Sequence, residues 1–253
     1  MINDRIILIT GSTDGIGKQV ALDLAGRGAT VLLHGRDAGK AERVRNEIER
    51  KTGNNRIQVY SADFSVMAQV RALADRIKMD HSKLDVLINN AGVYMNRKKI
   101  TADGLEMTFA VNYLSLFILT LELLKLINQS DYKRIINVSS QTHASYIDFQ
   151  NLQGEKMYSG YSAYALSKLM EIMFTFELAA KLRETGIMIN CLHPGVISTK
   201  LLHAGWSGGG ASIKEGAVTP VYLATSPEAG DVSGKYFINK RIFKPAAVAY
   251  NEA

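Results

Sequence analysis

Cysteine is almost missing from this chain. A single residue, Cys191, among 253 excludes an internal disulfide framework and a cysteine-rich zinc site, and suits a reducing compartment. It reads as a small buried apolar residue after a strand. A dense basic tract is also absent: the net charge is only +6, and the tightest cluster, Arg97-Lys98-Lys99, has no interleaved aromatics and no nucleic-acid module around it. No nucleic-acid partner is expected, although the surplus would help attract an anionic cofactor. His34, His81, His143, His193 and His203 show no metal-ligand spacing, so no metal is expected. The longest apolar run, Tyr113 to Ile127, is interrupted by Glu122 and Lys125 and is too short to cross a bilayer. Met1-Ile2-Asn3-Asp4-Arg5 leads straight into an apolar strand without a secretory signal, and the expectation is a soluble cytoplasmic protein.

What is present alternates. Apolar, β-branched runs at Arg5–Thr10, Thr30–His34, Ile57–Tyr60, Leu84–Ile88, Arg134–Val138, Ile187–Leu192 and Tyr236–Ile238 read as strands. Between them lie segments with helical spacing, such as Ala38, Ala41, Val44 and Ile48, then Val66, Val70, Leu73 and Ile77, and a long stretch near 103–129. Near-continuous apolar strands separated by amphipathic helices predict a doubly wound α/β fold: one Rossmann-type domain, 1–253, with about seven parallel strands covered on both faces. Two long loops, near 141–160 and 193–215, are candidates for shaping a substrate pocket. The second carries Trp206 and Gly208-Gly209-Gly210, flexible enough for a lid.

Thr10-Gly11-Ser12-Thr13-Asp14-Gly15-Ile16-Gly17 joins the first strand to the first helix. Missing side chains at Gly11, Gly15 and Gly17 let backbone approach a pyrophosphate, which free N–H groups and the helix dipole favour. At the tip of the second strand stand Arg36 and Asp37, with Lys40 one turn later. Arginine pairs with a ribose 2′-phosphate, whereas an acid selects a free hydroxyl; Asp37 could equally cap the next helix. NADP(H) is therefore expected in preference to NAD(H). In Ser-Ala-Tyr-Ala-Leu-Ser-Lys, residues 162–168, Tyr164 and Lys168 share one helical face, and the neighbouring cation should draw the phenol from its usual pKa near ~10 into a useful range. Ser139 and Ser140 end the fifth strand on opposite faces, either able to hold a carbonyl oxygen.

These residues, with Asn89-Asn90-Ala91-Gly92, Asn112 and Pro194-Gly195, resemble the short-chain dehydrogenase/reductase family over essentially the whole chain. Asn151-Leu152-Gln153-Gly154-Glu155-Lys156, His193-Pro194-Gly195 and Ser233-Gly234-Lys235-Tyr236-Phe237 resemble its retinol-dehydrogenase-like branch. The resemblance implies Tyr164 as general acid or base, Lys168 tuning it and holding the nicotinamide ribose, Ser140 rather than Ser139 orienting the substrate oxygen, and Asn112 anchoring a water linked to Lys168. It implies Asp63 and Phe64 near the adenine, Asn90, Ala91 and Gly92 at the adenosine ribose, and Pro194, Gly195, Ile197 and Thr199 toward the nicotinamide end. Membrane-bound retinol dehydrogenases carry an anchor before the first strand; this chain opens on the strand, so a soluble carbonyl reductase acting on an aldehyde, ketone or alcohol is the expectation. Family members commonly pair the two apolar helices near 103–129 and 162–184 with their twins, which implies a homodimer or homotetramer. The alternative is a nucleotide-binding sensor or scaffold on the same fold.

Overall fold

Eight strands form one sheet in the order β3-β2-β1-β4-β5-β6-β7-β8 in the computed structural model, which describes residues 2–251. The strands are β1 (Ile6–Ile9), β2 (Thr30–Gly35), β3 (Ile57–Ser61), β4 (Val86–Asn89), β5 (Arg134–Val138), β6 (Met188–His193), β7 (Tyr236–Ile238) and β8 (Arg241–Phe243). Every pairing up to β7 is parallel. Strand β8 was not legible. It is only three exposed residues long and returns antiparallel after Asn239 and Lys240, both at positive φ, a tight hairpin that carries no hydrophobic alternation.

Helices α1 (Gly15–Ala25), α2 (Ala38–Thr52), α3 (Met67–Asp80), α4 (Ser115–Asn128), α5 (Gly160–Lys181), α6 (Lys200–Gly205) and α7 (Ile213–Thr225) cover the sheet. One apolar layer packs α1, α2 and α7 on Ile7, Ile9, Val31, Leu33, Val86 and Ile88; the other packs α3, α4 and α5 on Leu8, Leu32, Leu87, Ile135 and Ile189. Successive strand residues thus go to opposite faces, both dry, which is why the strands read as unbroken apolar runs.

Three expectations change. The loop near 193–215 holds α6, capped by the Thr199 hydroxyl on the Leu202 amide, and its base is pinned by Ser198 and Ala211. The long helix is continuous from residue 109 but opens as a π-helical turn, Phe109–Leu114, before α4. That stretch, Phe109–Asn128, is by length and composition sufficient to span a membrane, longer than the apolar run alone suggests, but just over half of its most apolar window is buried. Leu119, Leu123 and Ile127 have no exposure at all, as befits a core helix.

Candidate active site

At the carboxyl ends of the parallel strands a cavity of about 910 Å³ opens across the switch between β1 and β4. This is the edge where such sheets bind ligands, and the volume is at the upper end of the roughly 300–1,000 Å³ usual for small-molecule sites. Most of the residues singled out above line it: Gly11, Thr13, Asp14, Gly15, Ile16, Gly17, Arg36, Asp63, Phe64, Asn90, Ala91, Gly92, Ser140, Tyr164, Lys168, Pro194, Gly195, Ile197 and Thr199. Ser12, Lys40 and Asn112 do not.

The glycine turn is held by side chains from distant strands. Asp14 caps α1 on the Gly15 amide and leaves the first-turn amides of Ile16 and Gly17 without helical acceptors. Gly15, at φ +51°, has only the Thr199 methyl nearby, 3.5 Å from where a Cβ would stand, and faces open cleft. Gly17 is different. A Cβ there would collide with the Asn90 amide and the Gly11 carbonyl, so its lack of a side chain serves the packing of the turn rather than the approach of a phosphate. Asn90 ties the turn down by donating to the Thr10 and Gly11 carbonyls at 2.9 and 3.2 Å. Ser12 is fully buried, its hydroxyl accepting from the His34 amide.

Lys40 is committed elsewhere: its ammonium and that of Lys200 both bind Asp14, at 2.8 and 2.9 Å. Those two cations hold the Asp14 carboxyl far below the usual carboxylate range. Asp37 accepts from the Lys40 amide at 2.8 Å and so caps α2. Arg36 is exposed at the cavity mouth, and its guanidinium has no hydrogen bond or ion pair among the described residues. His34, assigned no role from the sequence, forms the adjoining wall. It stacks on Phe64 with ring centroids 4.2 Å apart, takes the Gly11 amide on Nδ1, and sets Nε2 at 3.1 Å from the Ala62 carbonyl. Burial lowers its pKa to about 4, so the ring is neutral. Only its position at the strand tip could have flagged it.

At the other end of the cavity Tyr164 is buried in the first turns of α5. Tyr158 donates to the Met95 carbonyl and Tyr161 is exposed, so of Tyr158, Tyr161 and Tyr164 only the last lines the cleft. Ser140 lines the same cavity, its hydroxyl accepting from the Thr142 amide at 3.0 Å and helping to lower the phenol's pKa. Ser139 spends its hydroxyl on the Lys168 carbonyl at 2.8 Å, a bond that ties β5 to α5. The two serines thus divide as strand alternation requires.

Asn112 sits in the π-helical turn with its amide engaged: Oδ1 accepts from the Val93 amide, and Nδ2 donates to the Val93 carbonyl and the Ser167 hydroxyl. It fixes the loop after β4 against α5, where a Cβ on Gly92 would stand 3.6 Å from Asn112 Oδ1 and 3.8 Å from Lys168 Nζ. Tyr94 and Trp206, also unassigned a role in chemistry by the sequence, pack around Tyr164 with centroid separations of 5.6 and 5.5 Å, and 4.9 Å from each other.

The expected lowering of the Tyr164 pKa does not appear. Burial raises it, the Lys168 ammonium lowers it, and the Glu171 carboxyl opposes that pull; the net direction is upward. Lys168 is itself buried and pairs with Glu171 at 2.8 Å. Burial depresses the ammonium, but the carboxyl and the phenol outweigh it and its pKa rises.

Residues 5–207 match the family model described as short chain dehydrogenase. The chain is 40% identical to retinol dehydrogenase 11 of Homo sapiens, over 98% of this chain and 81% of that protein. It is 36% identical to Homo sapiens polyprenol dehydrogenase, with the same two coverages. Among solved structures, a short chain dehydrogenase of Escherichia coli CFT073 complexed with NADPH superposes with a TM-score of 0.75 at 26% identity, covering 93% of this chain and 96% of that one. With the glycine turn, Ser140, Tyr164 and Lys168 gathered on one sheet edge, these matches establish that the chain belongs to the short-chain dehydrogenase family, in its retinol-dehydrogenase-like branch, and is an oxidoreductase of the nicotinamide-dependent kind.

Proposed function

We propose that the protein is an NADP(H)-dependent oxidoreductase interconverting an apolar aldehyde or ketone and its alcohol, with Tyr164 as general acid and base. The observation that carries this reading is the opening of the buried Tyr164 phenol into the same cavity as the glycine turn and Arg36.

The donor set fits a phosphorylated dinucleotide: a helix amino terminus with free amides at one end, a guanidinium without a partner among the described residues beside it, and buried hydroxyls at the other end. When bound, the nicotinamide supplies the hydride. The chain supplies the rest. The α1 amino terminus and Arg36 bind the phosphates, while His34 and Phe64 wall the base. Ser140 and Tyr164 donate to the carbonyl oxygen and stabilise the charge that grows there, and the phenol passes its proton to that oxygen. In oxidation Tyr164, deprotonated to the phenolate, takes the proton from the alcohol.

Trp206, Val93, Met107 and Leu202 make the substrate end apolar, with Tyr94 packed against the Trp206 ring. That lining agrees with relatives named for retinol and polyprenol, both unsaturated apolar alcohols. Assembly through α4 and α5 belongs to the same proposal, since Leu121 is 40% exposed and Phe117, Leu124 and Met173 are only partly covered.

The test follows NADPH fluorescence with straight-chain aldehydes, benzaldehydes and all-trans-retinal. Tyr164→Phe should lower turnover by about 10²–10⁴-fold while NADPH binding is little changed. Retained turnover would remove Tyr164 from the acid role.

A further inference from the structure

We propose that Glu171 is a positioning residue for the proton-transfer pair: its carboxylate holds the Lys168 ammonium and sets the pH at which Tyr164 and Lys168 together surrender a proton. This rests on the acid–base reading of Tyr164 and adds a residue that the family motifs did not single out.

The geometry is specific. Glu171 follows Lys168 by three residues on α5, and both side chains point inward, 1% and 5% exposed. Lys168 Nζ lies 2.8 Å from Oε1 and 3.1 Å from Oε2 of Glu171, and 3.1 Å from the Val138 carbonyl. An ammonium has three N–H donors, and here all three have acceptors within the protein. A lysine that is also to hold ribose hydroxyls must release at least one of them, so Glu171 competes directly with the cofactor for the group that tunes the phenol.

The surroundings leave Glu171 no other role of comparable strength. The titratable groups facing it are Lys168 and Tyr164 from its own helix and the Cys191 thiol from β6, which burial pushes up and keeps protonated. From the end of β5 comes only the Ser139 hydroxyl. Burial also pushes the Glu171 carboxyl up, to about 7, against the pull of Lys168. Its charge is therefore fully present on the alkaline side of neutrality, where the phenol titrates.

The sign follows from charge alone. A buried carboxylate raises the pKa of a neighbouring phenol and of a neighbouring ammonium alike. Its removal lowers both, so the first proton leaves the pair at lower pH whichever group gives it up. Either loss stops reduction, because the reaction needs the phenol protonated and the cation beside it.

The experiment measures the pH profile of NADPH-dependent reduction, using whichever aldehyde of the panel above turns over fastest, for the intact protein, Glu171→Gln and Glu171→Met. Both variants delete the charge; the second also deletes the hydrogen bonds and covers the case in which a buried amide folds poorly. The expected result is an alkaline limb displaced to lower pH by about one unit or more in both, together with a lower KM for NADPH as Lys168 is freed. Unmoved limbs alongside a reduced Tm would make Glu171 a packing residue and overturn the proposal. Tyr164→Phe, run in parallel, separates the two failures: activity in that variant sinks the acid assignment itself, whereas an inactive Tyr164→Phe with unmoved Glu171 limbs sinks only this inference.

Discussion

If Arg36 reads the ribose 2′-phosphate, as proposed above, replacing it by Ala should leave a protein that scarcely distinguishes NADPH from NADH. The magnitude can be worked from the strand tip. Three charged side chains stand there, and two are already engaged: Asp37 caps α2, and the Lys40 ammonium is held at 2.8 Å by Asp14. Of these three, Arg36 is the one without a hydrogen-bonding partner or ion pair among the described residues. Hydrogen bonds to charged groups contribute about 1.5–3 kcal/mol. Because Arg36 is exposed, water and salt place its contribution in the lower part of that range, about 1.5–2 kcal/mol, or roughly 10–30-fold in Kd. Titration by cofactor fluorescence should show that loss for NADPH and almost none for NADH. Adding Lys40→Ala should cost little more, since Asp14 already neutralises that ammonium. Equal weakening of both cofactors by Arg36→Ala would refute the reasoning, because it would mean that the guanidinium supports the cleft rather than reading the phosphate.

Asn137 offers a test of the scaffold beneath the site. Fully buried on β5, it accepts from Asn89 and donates to Thr175, joining β4 to α5. Asn137→Ala leaves a cavity and strips partners from buried polar groups, and should cost about 2–4 kcal/mol by urea unfolding; a loss under about 1 kcal/mol would show that water replaces the amide. A surface prediction concerns Glu47, whose pKa is lowered to about 2 by Lys18 and Lys51. A carboxylate with a depressed folded pKa adds stability that is present above its ordinary value of 4.5 and lost as pH falls toward 2. Glu47→Gln should therefore destabilise by at most about 1 kcal/mol at pH 7, as partly exposed pairs do, with the difference closing across that window. A difference that persists at the acid end would point to packing rather than charge.

The sequence by itself determined the order of strands and helices, the parallel sheet, the edge on which ligands bind and most of the cavity lining. Each follows from a local cause: apolar runs that can only be buried on both faces, glycine where a turn meets a helix, and Tyr164 four residues before Lys168. Only the tertiary structure decided how charges and hydroxyls were spent. Asp14 takes Lys40 and Lys200 from 26 and 186 residues away; Ser139 goes to a backbone carbonyl, whereas Ser140, holding the Thr142 amide, lines the cleft with Tyr164. The exposed hairpin to β8 and the π-helical turn around Asn112 carry no hydrophobic period to read. Glu171 stands in plain view on an amphipathic helix, yet its meaning depends on burial, because a carboxylate three residues from a lysine is unremarkable in water and dominates its neighbours once water is excluded.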